Sequence, residues 1–174
     1  AENGIIVMLR RIIGLPPRRH GPRPPDARRE QVMVALHWRD GTEVWRARLG
    51  EGTLSATGHN AGTPTVAGSV AFVPSPVSEK VVAVDIRTGR ILWSAGVNPA
   101  RGSVVVSGNS VIAATRDTGL VVLDAATGAV RCRQRLPQVA DRAGMTISGS
   151  TGVLTLTDGM IMARPVADWL ECRA

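Results

Sequence analysis

The side chains that could move protons or hold a metal are thinly spread over these 174 residues: three histidines, two cysteines and 14 carboxylates. His20 lies in a Pro/Arg-rich stretch, His37 stands beside Trp38 in an apolar run, and His59 precedes the turn-forming Asn60-Ala61-Gly62. Their spacing matches neither a zinc signature nor a nucleophile–base–acid order. Glu79, Asp117, Asp141 and Asp158 are isolated, and none belongs to a ligand-spaced set such as a calcium loop needs. Gly58, Gly62 and Gly68 come without the lysine and following helix of a phosphate-binding loop. Ser148-Gly149-Ser150-Thr151-Gly152 falls between two apolar runs, which makes it a strand-to-strand turn rather than a nucleophile elbow. The sequence therefore assigns no catalytic, metal-binding or cofactor-binding residue, and no cofactor is expected.

Charge offers a second kind of chemistry. The formal net charge is +7, carried almost wholly by arginine because Lys80 is the only lysine. Arg10, Arg11, Arg18, Arg19, Arg23, Arg28 and Arg29, against Glu2, Asp26 and Glu30, make the segment from Ala1 to Glu30 strongly basic. The middle of that segment is rich in proline and has no apolar alternation after Leu15, so an exposed, extended connection is expected. A solvated loop needs no ligand; an arginine run that does bind favours an acidic protein surface or anionic lipid headgroups. Nucleic acid is disfavoured, because interleaved aromatics, a zinc pattern and a recognition helix are missing. These seven arginines are the candidate partner-binding residues. No stretch approaches 18 consecutive apolar residues, so no membrane-spanning helix is expected. Ile5, Met8, Leu9, Ile12 and Ile13 have helical spacing, while residues 5–9 also read as a strand, and both assignments stand. A start at Ala1 rather than Met leaves a removed leader open.

What must position these groups is a repeat. VVAVDIRTGRILW (residues 81–93) and VVLDAATGAVRC (121–132) match at a constant offset: the same interval separates Asp85 from Asp124, Thr88 from Thr127, Gly89 from Gly128, and Trp93 from Cys132. A weaker copy at residues 33–47 has an apolar run, a turn at Asp40-Gly41 and then Trp45. Gly41 precedes Gly89 by more than one such interval, and the excess is assigned to the Pro/Ser stretch 73–80. A degenerate fourth copy runs through Met145, Gly152 and Met160, with Trp169 or Cys172 near the closing position.

Between Arg101 and Arg133 four short apolar runs are separated by Ser-Gly-Asn, Arg-Asp-Thr-Gly and Ala-Ala-Thr-Gly turns, which spells a four-stranded antiparallel meander. Units of about 40 residues in series pack radially as propeller blades. The expected architecture is all-β: a β-propeller of about four four-stranded blades, with boundaries before Thr53, Arg101 and Ala143. A strand near Thr53 would open the second blade. Residues 1–31 are read as an N-terminal strand or short helix plus the basic loop, and residues 32–174 as the repeats. With one Phe and no Tyr, Trp38, Trp45, Trp93 and Trp169 must supply the large aromatic packing and are expected between blades. Four blades can close a small ring or make half of an eight-bladed one. Cys132 and Cys172, close to one repeat period apart, fall at related positions on neighbouring blades; a disulfide staple and two separate buried thiols both satisfy that spacing.

Ala83, Asp85, Thr88, Gly89 and Trp93 have the form Ala-x-Asp-x-x-Thr-Gly-x-x-x-Trp, which resembles the repeat of the pyrroloquinoline-quinone-like β-propeller superfamily. The copy at Asp124, Thr127 and Gly128 departs from it, with Val122 in place of alanine and Cys132 in place of tryptophan. The resemblance implies that Asp and Thr-Gly shape the turn between a blade's third and fourth strands, and that the tryptophan docks on the next blade's turn. Trp45, Asp85, Thr88, Gly89, Trp93, Asp124, Thr127 and Gly128 are thus the structural repeat residues. The superfamily includes quinone-dependent alcohol and sugar dehydrogenases and subunits of outer-membrane protein assembly machines. Its dehydrogenases need a catalytic carboxylate, calcium or an equivalent, and more blades than this chain can make. The resemblance therefore implies a noncatalytic scaffold in an envelope or membrane-associated complex, bound to another protein chain or to a second copy. The alternative is part of a larger quinoprotein-like enzyme or ligand-sensing propeller.

Overall fold

The computed structural model of the chain describes residues 5–13 and 29 by their backbone and residues 30–52, 62–100, 102–117, 119–137 and 144–172 in full. Short runs rich in Val, Ile and Ala, broken by glycine-containing turns, form four antiparallel sheets that follow one another along the chain. The first holds β1 (Ile5–Ile13), β2 (Arg29–His37) and β3 (Glu43–Gly52). The second holds β4 (Thr65–Ala67), β5 (Val70–Ser75), β6 (Lys80–Asp85) and β7 (Ile91–Gly96). The third repeats it with β8 (Val105–Ser107), β9 (Ser110–Thr115), β10 (Gly119–Asp124) and β11 (Val130–Arg135). The fourth has β12 (Met145–Ser148), β13 (Thr151–Thr155) and β14 (Ile161–Pro165), followed by the helix α1 (Val166–Leu170).

Each sheet is a plain meander, and the middle strands of the second and third sheets are buried on both faces. That is why they read as unbroken apolar runs rather than as alternating ones. One face of each of these two sheets meets the sheet before it and the other meets the sheet after it. Met33, Ala47 and Leu49 pack on Ala71, Val73, Val82 and Val84. On the other side of the second sheet, Phe72, Val81, Ala83 and Trp93 pack on Val111, Ala113, Val121 and Leu123. Ile112, Leu120 and Val122 then pack on Met145, Leu154 and Trp169. At the first of these seams a buried polar pair is satisfied internally: Ser75 Oγ donates to Gln31 Oε1 at 2.7 Å, and Gln31 Nε2 donates to Pro74 O at 3.4 Å.

The chain is thus a run of propeller blades, as the sequence predicts, and four details add to or correct that reading. First, the blades at either end have three strands each among the described residues. β3 carries Trp45 as β7 carries Trp93, so the strand not described in the first sheet is the innermost; β12 to β14 correspond to β8 to β10, so the one not described in the fourth is the outermost. Second, only one of the extra residues of the first period lies at 73–80, in the β5–β6 hairpin closed by Ser75 and Lys80, which is one residue longer than the β9–β10 hairpin closed by Thr115 and Gly119. The rest lie between β3 and β4, because the path from Trp45 to the start of β4 at Thr65 is much longer than the path from Trp93 to the start of β8 at Val105. Third, β4 opens the second sheet, and the strand expected near Thr53 falls outside the described residues. Fourth, Trp38 is not between blades; it is 53% exposed in the β2–β3 turn, with the Arg39 guanidinium 5.3 Å from its ring.

Among the described residues three cores join four sheets, and the far face of the fourth is open. Ile161 is 66% exposed, whereas Val81 and Leu120, at the same register position in the second and third sheets, are buried. Replacing Ile112 by Ala should therefore cost about 2–5 kcal/mol and replacing Ile161 by Ala no more than about 0.5 kcal/mol. Urea unfolding of the two variants checks this, and equal losses would mean that the far face is covered.

Candidate functional site

The recurring chemistry of the chain lies in three turns. Asp85 Oδ1 accepts from the amides of Arg87 (3.1 Å) and Thr88 (2.8 Å) and from Thr88 Oγ1 (2.8 Å). Thr88 Oγ1 in turn accepts from the Arg90 amide at 3.3 Å, and the Gly89 amide donates to Asp85 O at 2.8 Å. Asp124 makes the same set with Ala126, Thr127 and Ala129. Asp40 makes a shorter version with the amide and hydroxyl of Thr42. A carboxylate that accepts several N–H and O–H bonds is stabilised in its charged form. Thr88 accordingly holds the Asp85 carboxyl below its usual range, and Thr42 does so for Asp40. At Asp124 the Arg131 guanidinium, 2.5 Å away, adds to the Thr127 bonds and brings the carboxyl down to about 2. Arg131 also donates to Ser110 Oγ at 2.8 Å, and the spacing of the repeat carries no sign of its part.

The second and third sheets' turns each receive a side chain from the sheet before. Trp45 Nε1 donates to Ile86 O at 3.0 Å, and Trp93 Nε1 donates to Ala125 O at 2.9 Å. The rings lie against Gly89 and Gly128, both at φ +73°; a Cβ there would come within 2.7 Å of the Trp45 ring and 2.6 Å of the Trp93 ring. Glycine is required twice over, by the left-handed backbone and by the approach of the indole. Phe72 completes the second contact, its ring centroid 5.8 Å from that of Trp93.

At the third joint the register is kept and the chemistry changes. Trp93 pairs with Ala83 and Cys132 pairs with Val122, so Cys132 occupies the tryptophan place. It is disulfide-bonded to Cys172, and its Sγ lies 3.5 Å from Leu170 O. Trp169 does not close a fourth strand. It lies on α1, fully buried, and Nε1 donates to Gly152 O at 3.2 Å with the indole against Gly152. Gly152 inside a strand, where the preceding sheet has Val111, is the available sequence signal for that close approach.

The other candidates do not converge. Arg10 and Arg11 lie on β1 and Arg29 opens β2, while Arg18, Arg19, Arg23 and Arg28 fall outside the described residues, as do His20, His59 and Asp141. His37 ends β2 in an exposed position, and Asp158 accepts from the Met160 amide in the β13–β14 turn. Glu79 and Asp117 line an open cleft of about 390 Å³ together with Lys80, Asn98 and Arg133, a lining of mixed charge. Among the described residues no three His, Cys, Asp or Glu side chains group as metal ligands, and no helix is long and apolar enough to cross a membrane.

The sequence model for the family described as outer membrane protein assembly factor BamB matches residues 27–96 and 77–169. This chain belongs to that family. The BamB repeat is of the pyrroloquinoline-quinone-like kind, and the turns and docked tryptophans above recur at its spacing. BamB from Moraxella catarrhalis, at 16% identity, superimposes with a TM-score of 0.59 over 82% of this chain and 46% of its own. The computationally designed protein Ika4, at 13% identity, gives 0.58 over 79% of this chain and 84% of its own. A quinohemoprotein alcohol dehydrogenase from Pseudomonas putida HK5, at 21% identity, gives 0.50 over 60% and 19%. At these identities the likeness is one of fold. The chain spans about half the length of the Moraxella BamB. Among curated protein sequences none matches it.

Two outcomes are expected. Trp93→Ala should cost about 3–5 kcal/mol, whereas Trp38→Ala, at an exposed turn, should change stability by no more than about 0.5 kcal/mol; thermal unfolding distinguishes them. The folded-state pKa of Asp124 is depressed, so its contribution is complete above the ordinary value of 3.8 and is lost as the pH falls to about 2. The stability difference between the wild type and Asp124→Asn should accordingly be constant at neutral pH and vanish across that acid window.

Proposed function

We propose that this chain is a noncatalytic propeller scaffold in a cell-envelope complex that assembles outer-membrane proteins, and that it works by binding another protein. The observation that carries the reading is the family match across residues 27–169, on a fold whose recurrent polar side chains are spent inside the molecule. Asp85, Thr88, Asp124 and Thr127 bond to their own turns, and the indole N–H groups of Trp45 and Trp93 bond to the next ones. A disulfide fits an oxidising compartment outside the cytoplasm, as an envelope role requires.

The contact is proposed to involve the arginine-rich segment. Ile13 at the end of β1 and Arg29 at the start of β2 are register partners on the first sheet. Arg10 and Arg11 on β1 and Arg29 on β2 belong to that sheet, and Arg18, Arg19, Arg23 and Arg28 lie between them in the sequence, a basic run that suits attraction to an acidic protein surface.

The test is isolation of the full chain from its own envelope over a range of salt concentrations, with identification of what accompanies it. A component of the outer-membrane assembly machinery should copurify, with affinity that falls as salt rises. Joint replacement of Arg18, Arg19, Arg23 and Arg28 by Ser should weaken binding by about tenfold or more without lowering the unfolding temperature. A chain without a partner at every salt concentration would overturn the proposal.

A further inference from the structure

The three joints between sheets occupy one register position but are not chemically alike. The first two are an indole against glycine, which no thiol reagent touches. The third is a disulfide, and the segment that it ties down is short. α1 has five residues and no side-chain hydrogen bond at its N-cap, well short of the length at which a helix persists alone. Among the described residues no outermost strand follows β14; those after Pro165 are anchored by the Val166 amide donating to Ser150 O at 2.8 Å, by Trp169 on Gly152 with the Arg164 guanidinium 5.5 Å from its ring, by Leu170 against the core, and by Cys172. Cys172 itself has φ +51°, a conformation that non-glycine residues adopt only when the surroundings hold them in it. Both cysteines are half-buried rather than sealed, within reach of a reductant.

We propose that α1 and the Cys132–Cys172 bond form a thiol-controlled latch, which holds residues 166–172 over the seam between the third and fourth sheets when oxidised and releases them when reduced. In the reduction a dithiol gives up two electrons and two protons, becoming a disulfide itself, and the Cys132–Cys172 bond becomes two thiols. The docked tryptophans of the first two joints are unaffected, so opening is local. Release of α1 lifts Trp169 from Gly152 and removes the largest side chain of the core between the third and fourth sheets, where it packs with Ile112, Leu120, Met145 and Leu154. This inference does not depend on the proposed function.

Amide hydrogen exchange, read by mass spectrometry on the full chain with and without dithiothreitol, tests it. The peptide covering residues 166–172 should exchange at least tenfold faster after reduction, while peptides covering β5–β6 and β9–β10 keep their rates. The double variant Cys132→Ser with Cys172→Ser should show the reduced pattern without reductant and ignore dithiothreitol. Unchanged exchange at 166–172 in the reduced wild type would overturn the latch. Acceleration spread evenly over the second and third sheets would do so too, because the disulfide would then support the whole fold.

Discussion

The structure depends on one contact, the indole of a blade's last strand laid against a glycine in the next blade's turn. The ring buries a large apolar area while its N–H reaches a backbone carbonyl, so no polar group is lost in the seam. The approach is possible only because Gly89 and Gly128 lack a Cβ, and those glycines are held in place by the Asp and Thr bonds of the same turn. Aspartate, threonine, glycine and tryptophan are therefore one device: the first two build the seat, the third leaves it open and the fourth occupies it.

A fold made of such joints is close to one-dimensional, because each sheet owes its position to its neighbours. The consequence appears at the ends. The second and third sheets have both faces covered, whereas the fourth presents Ile161 to solvent and is finished, among the described residues, by α1 instead of a further strand. Where the next turn would receive a tryptophan stands α1, and the third joint is made by a covalent bond between Cys132 and the segment after that helix. The same economy bears on the proposed function: the repeat's polar groups are committed to turns and seams, and the binding role is therefore proposed for the arginine-rich segment of the sequence, outside the motif.

Local features are legible in the sequence and distant ones are not. The Asp-x-x-Thr-Gly turns show because their hydrogen bonds join near neighbours in the chain, and the period shows because the second and third sheets are built alike. The carbonyls that receive Trp45 and Trp93, 41 and 32 residues away, have no side-chain signature. β4 is three residues long and below any periodicity, which is why the extra loop length is misplaced to the following connection when only the sequence is read. For Trp38 composition is the sole guide, and nothing in its flanks distinguishes an exposed turn. The near-period spacing of the cysteines suggests equivalent outer strands, yet Cys172 follows a helix; that separation is a coincidence of lengths, and the bond rests on how α1 folds back.

The most direct test of the docking account is a double-mutant cycle on Trp93→Ala and Gly128→Ala, measured by denaturant unfolding. If the indole rests on the glycine, Gly128→Ala in the wild-type background carries both the left-handed backbone cost, about 1–2 kcal/mol, and the displacement of the ring. Without the ring only the backbone cost remains, so the two changes should fall short of additivity by about 1 kcal/mol or more. Additivity within about 0.5 kcal/mol would contradict the account, because the ring and the glycine would then be independent.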